Sequence, residues 1–167
     1  VLPGMIGMEA GQSSFGDIYA WFKRVLAWPI ENILAQSTLI DNETKNKLIE
    51  ETIDKIIPAL TKEAEQIPIS QSSILAVDWM NGRRTPDANP LVKGTITGLN
   101  LASSAPLIFK ALVEATAFGS KAIIDRFLKN GLTIESVIGI GGIALKSPFI
   151  MQTLADVLNM PIKVSKA

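Results

Sequence analysis

Cysteine and histidine are both absent from the 167 residues. The chain therefore offers no thiolate nucleophile, no imidazole base, no Ser-His-Asp triad and none of the usual zinc ligands. Any chemistry must run on carboxylates, Lys and Arg, hydroxyls and backbone amides. The missing cysteines also exclude a disulfide framework, which suits a reducing compartment and predicts a cytoplasmic protein. Neither sign of charge is in excess: sixteen Lys and Arg balance sixteen Asp and Glu. With no basic footprint, neither nucleic acid nor an anionic membrane is expected as a partner. No apolar run reaches the roughly 18 residues of a membrane helix, and residues 1–10 lack the basic flank of a signal peptide. The chain opens on Val1 rather than Met and stops at Ala167, just past a strand-like segment, which predicts a piece of something longer.

What is present suits one domain. A chain of this length buries roughly 70% of the surface it exposes when unfolded. With 47% hydrophobic and 19% charged residues it is apolar enough to build a core and too apolar for disorder. Residues 1–8 read as a buried strand that ends in the polar loop Glu9-Ala10-Gly11-Gln12-Ser13. Ser14 with Asp17 reads as a capping box, and Ile18, Trp21, Phe22, Val25 and Leu26 recur at helical spacing until Pro29. Over 41–57, Leu48, Ile49, Ile53, Ile56 and Ile57 share a face opposite a run of charges, and Pro58 is expected to stop that helix before a short one over 59–66. Residues 73–80 read as a strand and 81–90 as a polar, Pro-rich loop. Ser103 or Ser104 with Pro106 opens a long, deeply packed helix that runs to Asn130, with Gly131 as its stop. A strand over 137–140, a glycine turn over 139–142, a helix from Ser147-Pro148 to Asn159 and a last strand over 162–165 form a βαβ unit. That order predicts parallel strands in an α/β fold, with the turn at the carboxyl end of the sheet.

Three segments carry candidate chemistry. Gly139-Ile140-Gly141-Gly142-Ile143-Ala144 lies between a strand and a helix, where free amides favour an anion or a nucleotide. Read literally it also fits a dinucleotide pattern, although Ile162-Lys163-Val164-Ser165-Lys166 lacks the acidic residue that pattern wants. The same glycines also fit a plain tight turn. Glu9 stands at a strand-to-loop junction beside Gln12, Ser13 and Ser14, a set of acceptors and donors that suits sugar hydroxyls, or equally a carboxylate that supports its own loop. Arg83 and Arg84 fit either a clamp for phosphate or carboxylate or a salt bridge that fixes the 81–90 loop. Trp21, Trp28 and Trp79 are spaced as core or interface residues.

Gly7-Met8-Glu9-Ala10-Gly11-Gln12-Ser13 and Gly16-Asp17-Ile18-Tyr19-Ala20-Trp21-Phe22 together resemble the ribulokinase branch of the FGGY family of carbohydrate kinases. Asp78-Trp79-Met80-Asn81-Gly82-Arg83-Arg84-Thr85-Pro86 with Asn89 is similar to that branch's form of a loop many FGGY kinases share. Gly94-Thr95-Ile96-Thr97-Gly98-Leu99, followed by 111–114, resembles the second family signature, with Leu107 where a polar residue is usual. Residues 141–152 with Asp156-Val157-Leu158-Asn159 look like the family's adenosine-binding turn. The four blocks occur in family order and span nearly the whole chain.

This resemblance implies an actin-like ATPase domain of the ribonuclease H-like kind: α/β, incomplete, helix-rich, with a βαβ nucleotide-binding unit. Residues 1–167 would be most of a C-terminal kinase domain, with the N-terminal domain, the first strands of this domain and a final helix outside them. It implies transfer of the γ-phosphoryl of ATP, with Mg2+, to the terminal hydroxyl of a ketopentose, L-ribulose above all, giving L-ribulose 5-phosphate in arabinose catabolism. The catalytic Asp would lie before Val1, so no catalytic residue and no metal ligand is assigned within the chain. Gly141, Gly142, Ile143, Ala144, Ser147 and Pro148 would meet the adenosine, Gly16 would lie near the phosphates, and Glu9 would contact the sugar. The partners implied are the sugar, the missing N-terminal kinase domain and, for a homodimer, a second copy. Phosphoryl transfer asks mainly for positioning and charge stabilisation, so the missing His and Cys are no obstacle. The alternatives are another FGGY sugar kinase, a nicotinamide-binding oxidoreductase domain built on 139–144, or an actin-like docking domain without catalysis.

Overall fold

Helix α1, Asp17–Asn32, buries Ile18, Tyr19, Phe22 and Ala27 along one side. The computed structural model that shows this describes residues 3–4, 6–71 and 73–165. The expected capping box does not form: Gly16 is the N-cap, without a side-chain bond, and Ser14 sits at φ 85°, which turns it out of capping geometry. Asp17 still places a negative charge in the first turn, where the helix dipole favours it. Pro29 does not end the helix. It lies in the last turn, and the Ile33 N–H still reaches the Pro29 carbonyl at 2.9 Å.

Helix α2, Asn42–Glu65, starts at Asp41, whose Oδ1 accepts from the Thr44 N–H at 3.0 Å. Its outer face carries the i,i+4 pairs Glu43–Lys47 and Glu51–Lys55, as the charge pattern requires. Leu48, read as part of the inner face, is 42% exposed. Pro58 is inside α2 rather than at its end, so residues 59–66 continue one helix instead of starting another. Proline in a helix interior costs about 3 kcal/mol; here Leu60 and Ala64, beyond it, are buried in the core and keep the second half in line.

Strand β1, Leu75–Val77, is shorter than the 73–80 reading and pairs antiparallel with β2, Thr95–Thr97. Helix α3, Ala105–Lys129, is the central element, packed against α1, α2 and β1. It starts at Ser104 with Pro106 in its first turn and ends at Asn130, and Gly131 at φ 82° completes the stop. Its buried residues include Phe109, Leu112, Val113, Thr116 and Ala117, so the expectation of deep packing holds. The core gathers Phe109, Leu112 and Val113 with Ile18, Tyr19, Phe22, Leu60, Ala64 and Ile150. Tyr19 packs edge-on against both Phe15 and Phe109, with centroids 6.3 and 5.7 Å apart.

The βαβ unit is present. Strand β3, Val137–Gly139, pairs parallel with β4, Ile162–Val164, with Val137 opposite Ile162. Between them run a short α4, Gly142–Lys146, and α5, Pro148–Leu158, which packs on α3. The turn is expected over 139–142 and the helix only from Ser147-Pro148, so α4 is an addition to that expectation. The strand expected over 1–8 is not formed by the residues described there: Ile6 is 93% exposed and 6–8 have no ladder partner, and Val1, Leu2 and Met5 lie outside the described residues. An apolar run becomes a strand only when a neighbour accepts its backbone bonds.

Candidate functional site

The glycine turn follows directly from β3. Gly141, at φ 89° and ψ −179°, adopts a backbone that effectively only glycine takes, and it sets the first turn of α4. The first backbone bond of α4 runs from Leu145 N to Gly141 O at 3.2 Å, so the N–H groups of Gly142, Ile143 and Ala144 have no intrahelical acceptor. A Cβ built on Gly142 meets nothing within 4 Å, so the backbone there is open to an approaching ligand. A pocket of about 250 Å³ lies over the turn, walled by Phe15, Gly139, Ile140, Gly142, Ile143 and Ala144 among others. Gly16, Gly141, Ser147 and Pro148 are not among its walls. Ser147 is the residue before α5, and its hydroxyl is buried without a hydrogen-bond partner.

Gly16 comes to the same place from the other end of the chain. A Cβ on Gly16 would stand 3.0 Å from Ile143 Cδ1, so the start of α1 and the glycine turn touch. Of the candidates for one nucleotide site, the fold brings Gly16, Gly142, Ile143 and Ala144 together. Among the described residues no group of three or more Asp, Glu, His or Cys converges as a metal site, and no helix is long and apolar enough to cross a membrane.

Glu9 is exposed and, among the described residues, has no hydrogen-bond or ion-pair partner. Beyond it the segment is pinned on two sides. On one, the Thr85 N–H donates to the Gly11 carbonyl at 3.2 Å, and a Cβ on Gly11 would lie 2.9 Å from Arg84 Cζ, so the guanidinium rests on bare backbone. On the other, Gln12 Nε2 donates to Asp78 Oδ2 at 2.6 Å and to the Thr116 carbonyl at 2.8 Å, while Ser120 Oγ donates to Gln12 Oε1 at 2.8 Å. Burial pushes the Asp78 carboxyl above the usual carboxylate range, and the Gln12 bond pulls it partly back. Tyr19 completes the polar layer: its hydroxyl is 2.5 Å from Thr116 Oγ1, whose own proton goes to the Val113 carbonyl. By elimination Tyr19 donates. Burial pushes its phenol well above the ordinary tyrosine value.

The 81–90 loop holds its own shape, though not through the salt bridge expected of its arginines. Arg83 Nε donates to the Asp87 carbonyl at 2.8 Å, and its guanidinium lies over the Trp79 ring, 5.0 Å from the centroid. The Asp87 carboxylate pairs instead with Arg126, at 2.8 Å from each oxygen, which holds its carboxyl below the usual range. Trp21 and Trp79 are half-buried; Trp28 is 58% exposed and so is no core residue. The Gln12–Asp78 contact escaped the sequence reading, which placed Gln12 only as a neighbour of Glu9. No local period could join two residues 66 positions apart.

The family model for the C-terminal domain of the FGGY family of carbohydrate kinases matches residues 1–167. The chain belongs to that family. It is 50% identical over 163 residues to a ribulokinase of Vibrio parahaemolyticus, covering 98% of this chain and 28% of that one. A ribulokinase of Bacillus licheniformis is 39% identical over 165 residues, covering 99% of this chain and 27% of that protein. The chain thus spans just over a quarter of the length of these relatives. Among solved structures, xylulose kinase from Rhodospirillum rubrum superposes with a TM-score of 0.62 at 20% identity, covering 87% of this chain and 25% of that one. Plasmodium falciparum glycerol kinase with ADP gives 0.60 at 20% identity, with the same coverage of each. At such identities the likeness shows the fold, and it bears out the α/β, actin-like architecture expected of FGGY kinases.

Proposed function

We propose that this chain is most of the C-terminal domain of an ATP-dependent ketopentose kinase that converts L-ribulose to L-ribulose 5-phosphate. In this reading it forms the adenosine side of a cleft whose other wall is an N-terminal domain. The observation that carries it is the pocket over the 139–144 turn, where free amides and open glycine backbone meet an apolar wall that Phe15, next to Gly16, helps to form. The sugar is supported by the relatives at 50% and 39% identity, both named ribulokinase. Backbone amides and an apolar wall suit adenosine and phosphate. When bound, ATP supplies the phosphoryl group and Mg2+ its charge neutralisation. The chain's own part is to hold the nucleotide through Gly142, Ile143 and Ala144 and to orient the sugar through Glu9.

The nicotinamide reading has less behind it, because Ile162-Lys163-Val164-Ser165 offers no carboxylate for a ribose. The test is ADP release by the complete enzyme with L-ribulose, D-xylulose and glycerol as acceptors. L-Ribulose is expected to give the highest kcat/KM. No turnover with any of the three, or tight NAD binding in place of ATP, would remove the reading.

A further inference from the structure

We propose that Asp78 and Gln12 are positioning residues, which hold the 9–16 segment in the one arrangement that presents Glu9 to the sugar. The proposal rests on the kinase reading above and deepens it. Gln12 reaches into the molecule with its whole amide engaged: two donors to Asp78 Oδ2 and the Thr116 carbonyl, and its oxygen accepting from Ser120. These anchors stand just past β1, at the buried Asp78, and on α3, which carries much of the buried core. The segment needs such an anchor. Residues 6–12 have no secondary structure, and Ser14 sits at φ 85°, a backbone region that a serine occupies only when its surroundings impose it. Asp78 is 5% exposed. A buried polar side chain is costly unless it is hydrogen-bonded, and the acceptor that Asp78 offers goes to Gln12, which points to a task beyond packing.

On its α3 side the contact leaves no slack, while a cavity of about 210 Å³ opens beside it. A Cβ on Gly119 would lie 2.5 Å from both Asp78 Oδ2 and Gln12 Nε2, so α3 itself forms the back wall of the contact. On the outer side Arg84 lies on Gly11 and Thr85 bonds its carbonyl, so the same short stretch is gripped from two directions. Asp78, Arg84 and Thr85 belong to one sequence block, and bracing this segment gives that block a shared task.

A loop held in its competent form for only a fraction of the time binds its ligand more weakly by that fraction, with little change once saturated. In the complete enzyme, Gln12→Ala should therefore raise the sugar KM by about tenfold, with kcat and the ATP KM within about twofold of the parent. Asp78→Leu should do the same. Asp78→Asn keeps an acceptor for Gln12 and should stay within about threefold of the parent. Ser120→Ala, which removes one of the anchors, should fall between, and it serves if Asp78→Leu does not fold. Amide hydrogen exchange over 9–16 should quicken in Gln12→Ala. A folded Gln12→Ala enzyme with an unchanged sugar KM overturns the positioning role, whether exchange quickens or not. If Glu9→Ala leaves the sugar KM unchanged while Gln12→Ala raises it, the Glu9 assignment falls and the anchor stands. Absence of sugar-dependent turnover in the unsubstituted enzyme sinks the kinase reading and the positioning role with it.

Discussion

Replacing Gly119 by Ala sets two effects of opposite sign against each other. Gly119 lies inside α3, and alanine in a helix interior is better than glycine by about 0.8–1 kcal/mol. Propensity alone therefore predicts a more stable protein, with Tm higher by roughly 2–4 °C for a chain of this size. The surroundings predict the reverse. The new Cβ would stand 2.5 Å from Asp78 Oδ2, 2.5 Å from Gln12 Nε2 and 3.1 Å from Asp78 Cγ. Ordinary contacts begin near 3.4 Å, so each polar atom must retreat by about 1 Å. Their bond, now 2.6 Å, then breaks or bends. Losing a hydrogen bond to a carboxylate costs about 1.5–3 kcal/mol, and one forced methyl in a packed site about 1–3 kcal/mol. Set against the propensity gain, the net is a loss of about 1.5–5 kcal/mol and therefore a lower Tm. Scanning calorimetry of the complete enzyme and its Gly119→Ala variant decides the sign. A Tm equal to or above the parent's would refute the account of a tight Asp78–Gln12–Gly119 contact.

Gly142→Val should fold normally, because its Cβ meets nothing, yet raise the ATP KM by about tenfold while the sugar KM holds; unchanged ATP kinetics would take the turn out of the site. Glu9→Ala should weaken sugar use by about 1.5–3 kcal/mol with ATP binding intact, and Glu9→Gln should be milder; variants that only melt earlier would make Glu9 a loop support. Tyr19→Phe removes a donor but leaves Thr116 bonded to Val113, and should cost about 1 kcal/mol, whereas Thr116→Val strands the buried phenol and should cost more. Asp78 has a folded pKa above its unfolded one, so the folded state holds the extra proton; its contribution to stability is greatest in acid and declines as pH rises from about 3.9 through the raised value. Asp78→Asn should flatten that decline in a chemical-denaturation series against pH, and an unaltered slope would show that Asp78 does not cause it.

Periodicity made most of the local structure legible. The limits of α3 follow from Ser104, Pro106 and Gly131, and the βαβ unit from a strand, glycines, an apolar helix and a strand in that order. Each of these signals is short-range: a cap, a stop or a repeat acts within a turn or two, so the sequence carries it openly. The glycine turn was legible for the same reason, and missing His and Cys narrowed the chemistry without any fold. Packing decided the rest. Pro58 looks like a stop until Leu60 and Ala64 are seen in the core, and Ser14 like a cap until its φ of 85° is known. Residues 1–8 have a strand's composition, but a strand also needs a neighbour, which composition does not supply. Gly16 against Ile143 and Gln12 against Asp78 are contacts between distant segments, created when α1, β1 and α3 close on one core. Their partners are chosen by burial and by the demand that buried polar groups be satisfied, and both are properties of the assembled molecule rather than of any stretch of its sequence.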